Sequence, residues 1–322
     1  MSIRNRRGLA PDTGQGNPTS MRIVHASLGR KMSTSIAASP LARRRRRAAA
    51  LFLAPACVMF VVYVIYPIIR SIVLSFYDWD GVGPSTFVGL ANYHELIHSD
   101  TFYSALKNNV IWLVLLLLAP PIGLMLALYL NQTVRGMRVV KSLFFAPFVV
   151  SGVVIGLVFS WFYDPAFGLL KVIIGHGIPV LGDEHYATLG IIVAALWVQI
   201  PFCMILFLTS LTSINPEVIE AGRLEGARGW NLLWHVVLPQ LRPATFMAIT
   251  LTVIGALRSF DLISVMTAGG PFDSSTVLAY YMYDQAIKYF RFGYSASIAV
   301  VLFLIMLVFI AYQLRRLLRS DR

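Results

Sequence analysis

The chain alternates between long, nearly uncharged apolar runs and short polar segments. Five runs of about 20 residues carry no charged side chain: Ala48–Ile69, Val110–Leu130, Ser142–Tyr163, Ala187–Ile214 and Tyr294–Leu314. A sixth run, Ala244–Met266, contains only Arg258 and Asp261 near its end. A helix of about 20 residues crosses the hydrocarbon layer of a bilayer, and a spanning segment must satisfy its own backbone polar groups. The pattern therefore predicts an all-α, polytopic membrane protein with six transmembrane helices, over residues 48–75, 106–131, 142–163, 187–212, 243–266 and 294–315.

Composition supports a membrane protein. Hydrophobic residues make up 57% of the 322 residues and charged residues only 13%, whereas soluble domains carry about 25% charged residues. This excludes an ordinary soluble enzyme and a largely disordered protein. Both cysteines, Cys57 and Cys203, lie within apolar runs, so neither a disulfide framework nor a cysteine metal site is expected.

The basic residues define an orientation. The net charge is +12, and 21 of the 27 Lys and Arg residues lie in residues 1–47, after the second and fourth spans, or after the sixth. Because cytoplasmic loops are enriched in cations, both termini and these two loops are predicted to be cytoplasmic. The charge is thus a topology signal, and no nucleic-acid partner is expected. Residues 1–47 are predicted to be a basic, disordered tail, and residues 48–318 a six-helix domain.

The chain lacks the motifs of several functional classes. It contains no HExxH, no P-loop, no paired intramembrane aspartates and no nucleophile with a plausible base. We therefore expect no catalytic residue, metal or cofactor in this chain, and no ATP hydrolysis by the chain alone. Only Asp261 is an acidic residue inside a span, which disfavours proton coupling. Two other classes stay open: a secondary transporter or channel, and a membrane enzyme or assembly factor.

The cytoplasmic loop over residues 213–242 is the most informative segment. Asn215-Pro216 is a helix-start signal, and the apolar stretch Leu232–Leu238 is followed by Pro239, which is expected to stop the helix. The loop is predicted to form two short amphipathic helices outside the bilayer. Three glycines, Gly222, Gly226 and Gly229, each cost about 1 kcal/mol inside a helix. They favour close approach by another surface, although an interfacial helix pair explains the same pattern on physical grounds.

Several motifs together resemble one transporter family. Glu220-Ala221-Gly222, then Gly226 and Leu238-Pro239, resemble the EAA loop of ABC importer permeases, with mild departures at Gly222 for alanine and Val236 for isoleucine. Further matches to sugar permeases are Tyr66-Pro67, Ser75-Phe76, the stretch Phe87–Tyr93, Phe260-Asp261 and Gly269-Gly270-Pro271. The resemblance covers about residues 45–318.

The chain is accordingly identified as resembling a MalF-like, MetI-like permease subunit of a type I, binding-protein-dependent ABC sugar importer. The resemblance implies a transport subunit in the bacterial cytoplasmic (inner) membrane. It implies a second permease subunit in a heterodimer, two ABC ATPase subunits that hold ATP and Mg, an extracytoplasmic solute-binding protein and a carbohydrate substrate. The implied ATPase-coupling residues are Glu220, Ala221, Gly222, Glu225, Gly226, Leu238 and Pro239. Glu220 would make a charged contact, the small residues would permit close packing, and Leu238-Pro239 would fix the exit of the loop.

Polar and aromatic residues within the spans suggest a solute pathway. The candidates are Trp197, Gln199, Phe202, Thr252, Arg258 and Ser259. Aromatic faces with amide and hydroxyl groups suit sugars, and the resemblance implies that these stretches of spans four and five line the pathway. Helix–helix packing explains each single residue equally well. Arg258 and Asp261, three residues apart, are expected either to pair with each other or to leave Arg258 for an anionic sugar.

Overall fold

The computed structural model describes residues 40–132 and 136–320 of the chain. Residues 40–62 and residues 63–320 form two separate units. Helix α1 is Pro40–Phe60 and is followed by a π-helical turn, Val61–Ile65. Arg43–Arg47, which we expected in a disordered tail, are therefore helical, in keeping with the good helix propensity of Arg and Ala and the preference for proline at a helix start. The rest of the predicted tail, residues 1–39, lies outside the described residues.

In the second unit, helices follow one another with short connections. They are α2 (Tyr66–Leu74), α3 (Ala91–Ile97), α4 (Asp100–Leu116), α5 (Ala119–Leu130), α6 (Met137–Val149), α7 (Gly152–Phe162), α8 (Leu169–Ile174), α9 (Ala187–Thr212), α10 (Pro216–Leu224), α11 (Trp230–Leu232), a π-helical turn (Leu233–Val237), α12 (Leu238–Gln240), α13 (Arg242–Leu257), α14 (Asp261–Met266), α15 (Leu278–Ile287) and α16 (Phe292–Ser320). Two short antiparallel strands, β1 (Tyr77–Asp78) and β2 (Thr86–Phe87), pair in the loop after α2.

The long helices confirm the predicted all-α, polytopic architecture. Within the described residues, five helical segments are long and apolar enough to cross a membrane: Ala50–Leu74, Asp100–Leu130, Ala187–Thr212, Arg242–Met266 and Phe292–Arg316. Helices Met137–Val149 and Gly152–Phe162 are long and apolar enough only when taken together, and they make a sixth span if this bent pair is one broken span.

The predicted third span is not one straight helix. Helices α6 and α7 meet at an angle of 96°, and the backbone of Val150 and Ser151 between them is extended. Pro147 in the last turn of α6 donates no backbone hydrogen bond, and Ser151-Gly152 is a sequence that readily starts a new helix. The apolar run therefore continues across a break that hydropathy alone does not reveal.

Helices α5 and α9 pack closely against each other. A Cβ atom added to Gly123 would lie 2.7 Å from Cβ of Cys203 and 2.8 Å from the backbone nitrogen of Met204. The two helix backbones thus approach each other as only a glycine permits, a packing mode typical of membrane helices. Around this contact lies a buried cluster that includes Ala127, Leu130 and Phe207.

We expect Gly123→Val to lower the thermal stability of the protein. The added methyl groups would meet the backbone of α9, which cannot rotate away, and overpacking of this kind costs about 1–3 kcal/mol. The measurement is Tm in detergent. Gly255→Val in α13 is the matched control, because a Cβ at that position meets no atom within 4 Å. Equal Tm values for the two variants would contradict the close approach of α5 and α9.

Side-chain bonds fix the loop between α14 and α15. The buried Asn108 of α4 donates hydrogen bonds to the carbonyl oxygens of Ser274 and Thr276, at 2.7 and 2.8 Å. Nearby, Arg291 binds both carboxylate oxygens of Glu95, at 2.6 and 2.7 Å, and this contact raises the pKa of the Arg291 guanidinium above its usual value. The region between α14 and α16 is thereby tied to α3 and α4.

Candidate functional site

The segment between α9 and α13 folds as a helical hairpin, here called the 215–240 hairpin. Its first helix, α10, begins at Pro216, and the side chain of Asn215 accepts a hydrogen bond of 3.0 Å from the backbone nitrogen of Glu217. Proline in the first turn and an asparagine cap are both favourable at a helix start. The second helix of the hairpin runs from Trp230 to Gln240. The position of α10 follows directly from the Asn-Pro signal in the sequence.

Gly222 packs inside the hairpin. It is buried, and a Cβ at this position would lie 2.9 Å from Cγ2 of Val236 and 3.4 Å from Cδ1 of Leu232. The bare backbone of α10 thus serves contact with the second helix of the same hairpin. We expected Gly222 to permit close packing, and within this chain it does so against the second helix of the hairpin.

Gly226 occupies a turn that requires a left-handed backbone. Its φ is +91°, and Gly229 has φ +53°. The backbone nitrogen of Ala227 donates to the oxygen of Gly222 at 2.9 Å, and that of Gly226 donates to the oxygen of Arg223 at 3.1 Å. This bond pair is the Schellman motif, in which a left-handed glycine ends a helix. Neither glycine lies in a helix interior, so the expected helix penalty does not arise, and no atom lies within 4 Å of a Cβ built at Gly226.

Pro239 lies one residue before the end of the second helix, close to where we expected that helix to stop. A π-helical turn, Leu233–Val237, precedes it. Pro239 lies in the first turn of α12, a position where the backbone N–H that proline lacks is not needed for a hydrogen bond within the helix. Only Leu241 separates α12 from α13. The hairpin therefore leads almost directly into the fifth span.

The remaining coupling candidates lie on the surface of the hairpin. Glu220, Ala221 and Glu225 are exposed, and Leu224 beside them is 90% exposed. Leu238 and Pro239 are half-buried at the exit of the hairpin. The structure thus places acidic and apolar side chains together on the exposed surface of α10. On the opposite side of that helix, Gly222 packs against the second helix of the hairpin.

A cavity of about 260 Å³ lies where two spans are broken. One wall is the α6–α7 break, with Val150 and Gly152, and the other is the break between α13 and α14. Three of the predicted pathway residues, Gln199, Arg258 and Ser259, line this cavity together. Polar side chains from two helices thus meet at interrupted backbone, which in membrane proteins is tolerated where it lines a cavity or is buried in protein.

Arg258 and Asp261 line this cavity without pairing with each other. Arg258 follows the last residue of α13 and Asp261 is the first residue of α14, so the helix is interrupted between them. Among the described residues, neither side chain makes an ion pair within 4.0 Å. The expected pairing on one helix face is therefore wrong, because the two residues do not share a continuous helix. The carboxyl group of Asp261 instead lies against Gly152: a Cβ there would be 3.2 Å from Oδ2.

The other pathway candidates have different surroundings. Thr252 is fully buried and accepts a hydrogen bond of 2.9 Å from Nε2 of Gln199, so it orients the glutamine. Phe202 stacks on Phe148 with ring centroids 5.1 Å apart. The Trp197 ring packs edge-on against Phe159, with ring centroids 5.6 Å apart, and it lines a separate, apolar cavity of about 500 Å³. The six candidates therefore do not form a single site.

Gly152 and Trp112 are among the residues lining the 260 Å³ cavity that were not pathway candidates from the sequence. For Gly152, a Ser-Gly pair in the middle of an apolar run was the available signal. Trp112 is only 1% exposed, and its indole nitrogen has no hydrogen-bond partner within the described residues.

Comparisons with known proteins agree with this architecture. Residues 119–321 match the family of inner membrane components of binding-protein-dependent transport systems. The chain is 37% identical over 268 residues to a probable ABC transporter permease protein of Pyrococcus horikoshii, which covers 80% of this chain and 91% of that protein. It is 31% identical over 272 residues to the sn-glycerol-3-phosphate transport system permease protein UgpA of Agrobacterium fabrum, covering 82% and 92%. It is also 31% identical over 259 residues to the multiple sugar-binding transport system permease protein MsmF of Streptococcus mutans, covering 79% and 89%.

A solved structure has the same fold. A bacterial ABC transporter involved in the import of the acidic polysaccharide alginate contains a chain that superimposes with a TM-score of 0.75 at 20% identity, covering 87% of this chain and 98% of that chain. The superposition confirms the predicted MetI-like permease fold.

Proposed function

The chain belongs to the family of inner membrane components of binding-protein-dependent transport systems, and from this premise we propose that it is the permease subunit of a carbohydrate ABC importer. An extracytoplasmic binding protein delivers the solute, and ATP hydrolysis in a partner subunit drives its passage through the bacterial inner membrane. The names of the sugar and glycerol-phosphate permeases among its relatives support this assignment.

The observation that carries the proposal is the 215–240 hairpin. It connects two spanning helices, exposes Glu220 and Leu224 on one helix, and continues into α13 with one residue between. Such a rigid, exposed element is suited to receive motion from another protein and to pass it to a span. We assign α10 as the surface that docks on the ATPase.

The proposed assembly contains this chain, a second permease subunit and two ABC ATPase subunits. ATP and Mg bind in the ATPases, and this chain contributes transport alone. Both termini and the 215–240 hairpin face the cytoplasm, in line with the distribution of Lys and Arg along the chain. No nucleic acid takes part.

The proposed mechanism is alternating access. Closure of the ATPases on ATP moves α10, and the contact of Gly222 with Val236 and Leu232 transmits that movement to the second helix of the hairpin. From there it reaches α13 through Leu241 and shifts the break that follows Leu257. The spans open outward to accept the solute, and hydrolysis resets them.

The 260 Å³ cavity is the proposed solute pathway. Gln199 and Ser259 offer hydrogen bonds to hydroxyl groups, and Trp112 lies in the wall. Arg258, without a carboxylate partner among the described side chains, is suited to an anionic group on the solute. Neutral carbohydrates are accommodated by the same amide and hydroxyl groups.

Transport in proteoliposomes tests the energy source. We expect the purified importer with its binding protein to accumulate solute only when ATP is present on the ATPase side, and to keep doing so when ionophores collapse all ion gradients. The same preparation should show ATPase activity stimulated by the loaded binding protein. Uptake that follows an ion gradient and ignores ATP would identify a secondary transporter. An assembly without solute-dependent ATPase stimulation would identify a membrane enzyme or assembly factor.

A further inference from the structure

The second helix of the 215–240 hairpin exposes two tryptophans that the proposed coupling mechanism does not use. Trp230 is 70% exposed and Trp234 is 53% exposed. They are four residues apart, and their rings form an edge contact with centroids 5.9 Å apart. Two large aromatic side chains thus make one continuous, uncovered patch on this helix.

This patch faces away from α10. The residues that contact Gly222 of α10 are Leu232 and Val236. Each tryptophan lies two residues before one of these, which corresponds to a rotation of about 200° around a helix. The second helix therefore lies between α10 on one side and the Trp230–Trp234 patch on the other.

Charge is divided in the same way between the two helices. Residues 215–227 contain three acidic side chains, Glu217, Glu220 and Glu225, against one cation, Arg223. Residues 228–242 contain Arg228, Arg242 and His235 and no acidic side chain. The tryptophans thus lie on a helix flanked by cations, which complements anionic phospholipid headgroups.

Chain connectivity places the end of this helix next to the start of a span. The α9 span ends at Thr212, and the α13 span begins at Arg242, two residues after α12. The helix that carries the two tryptophans therefore ends where the α13 span begins. Tryptophan, with an apolar ring and one polar N–H group, is enriched where hydrocarbon meets headgroups.

We propose that Trp230 and Trp234 anchor the 215–240 hairpin in the interfacial region of the bilayer, beside anionic headgroups. The anchor holds the second helix at a fixed depth. Because Gly222 packs on Val236 and Leu232, it also sets the height at which α10 is presented to its partner.

Fluorescence quenching in nanodiscs tests the anchor. The full-length chain is placed in discs of phosphatidylcholine and phosphatidylglycerol, with or without bromine on the acyl chains close to the headgroups. The emission of Trp230 and Trp234 together is obtained by subtracting the emission spectrum of W230F/W234F from that of the wild-type chain. Subtracting the spectra of the single variants W230F and W234F in the same way gives the emission of each tryptophan separately. The buried Trp112, 1% exposed, is a control for quenching from water, measured with W112F.

We expect brominated lipid to remove roughly half or more of the emission of the pair, since these rings would lie at the depth of the bromine. Acrylamide in the aqueous phase should quench the pair little more than it quenches Trp112. The same result is expected when the full importer is assembled in the discs. Two outcomes would overturn the proposal: quenching of the pair by acrylamide but not by brominated lipid, or loss of lipid quenching in the assembled importer, which would mean that a protein subunit covers the patch.

Discussion

Gly226→Val is expected to reduce solute uptake severely while the protein stays in the membrane. The backbone of Gly226 has φ +91°, a conformation that β-branched residues almost never adopt. Forcing it costs about 1–3 kcal/mol, so the Schellman turn from Gly222 to Ala227 opens and α10 loses its defined end. The exposed side chains of α10, Glu220 among them, then no longer keep one orientation. The measurement is ATP-driven uptake in proteoliposomes, which we expect to fall by about tenfold or more, since 1.4 kcal/mol corresponds to a factor of ten.

The matched control for this variant is Gly226→Asn. Asparagine tolerates the left-handed region far better than valine, and no atom lies within 4 Å of a Cβ at this position. We expect Gly226→Asn to keep most of the uptake and both variants to reach the membrane in similar amounts. Both side chains have room at this position. An equal loss of uptake in Gly226→Val and Gly226→Asn would therefore mean that the positive φ value is not what requires a glycine here.

Gly152→Leu blocks uptake by a different route. A Cβ at Gly152 already lies 3.2 Å from Oδ2 and 3.3 Å from Cβ of Asp261, so a leucine side chain must push α7 and α14 apart or enter the 260 Å³ cavity. Separation of the two helices would distort the cavity between the broken spans, and a leucine side chain inside the cavity would block it. An overpacking penalty of about 1–3 kcal/mol corresponds to a fall in uptake of about tenfold or more. The ATPase should stay bound, because the 215–240 hairpin is unchanged.

A size series at the same position separates obstruction from loss of folding. Gly152→Ala needs a shift of only a few tenths of an ångström and should retain much of the uptake, and Gly152→Leu should show the same gel-filtration profile as the wild-type protein. If Gly152→Leu transports at the wild-type rate, the solute does not pass between these two breaks.

The sequence predicted the architecture well because hydropathy and motif spacing act over whole helices. The long apolar runs predicted the spans, and the Asn215-Pro216 signal predicted the start of α10. The breaks in the spans were harder to predict. An apolar run continues unchanged through Val150 and Ser151, although the backbone there is extended and the chain turns by 96°. Hydropathy measures partition into lipid, and it carries no information on where a membrane-spanning helix is interrupted.

The roles of individual residues depended on tertiary contacts that spacing does not reveal. Three glycines in the hairpin looked alike in the sequence, yet Gly222 permits contact with Val236 while Gly226 and Gly229 supply positive φ values. Arg258 and Asp261 have the spacing of a helical ion pair, but the helix ends between them. In each case neighbouring backbone, rather than the residue type, decided the outcome.

Affinity purification of the tagged chain, co-expressed with its gene neighbours and followed by mass spectrometry, tests the central claim most directly. The coupling account predicts that a second permease and an ATPase are recovered with the wild-type chain. It further predicts that Glu220→Lys, which reverses the charge on the exposed surface of α10, loses the ATPase and retains the second permease. Glu184→Lys, at an exposed glutamate outside the 215–240 hairpin, is the charge-matched control and should retain both. Recovery of the chain alone, or an ATPase that stays bound to Glu220→Lys as firmly as to the wild-type chain, would contradict the account.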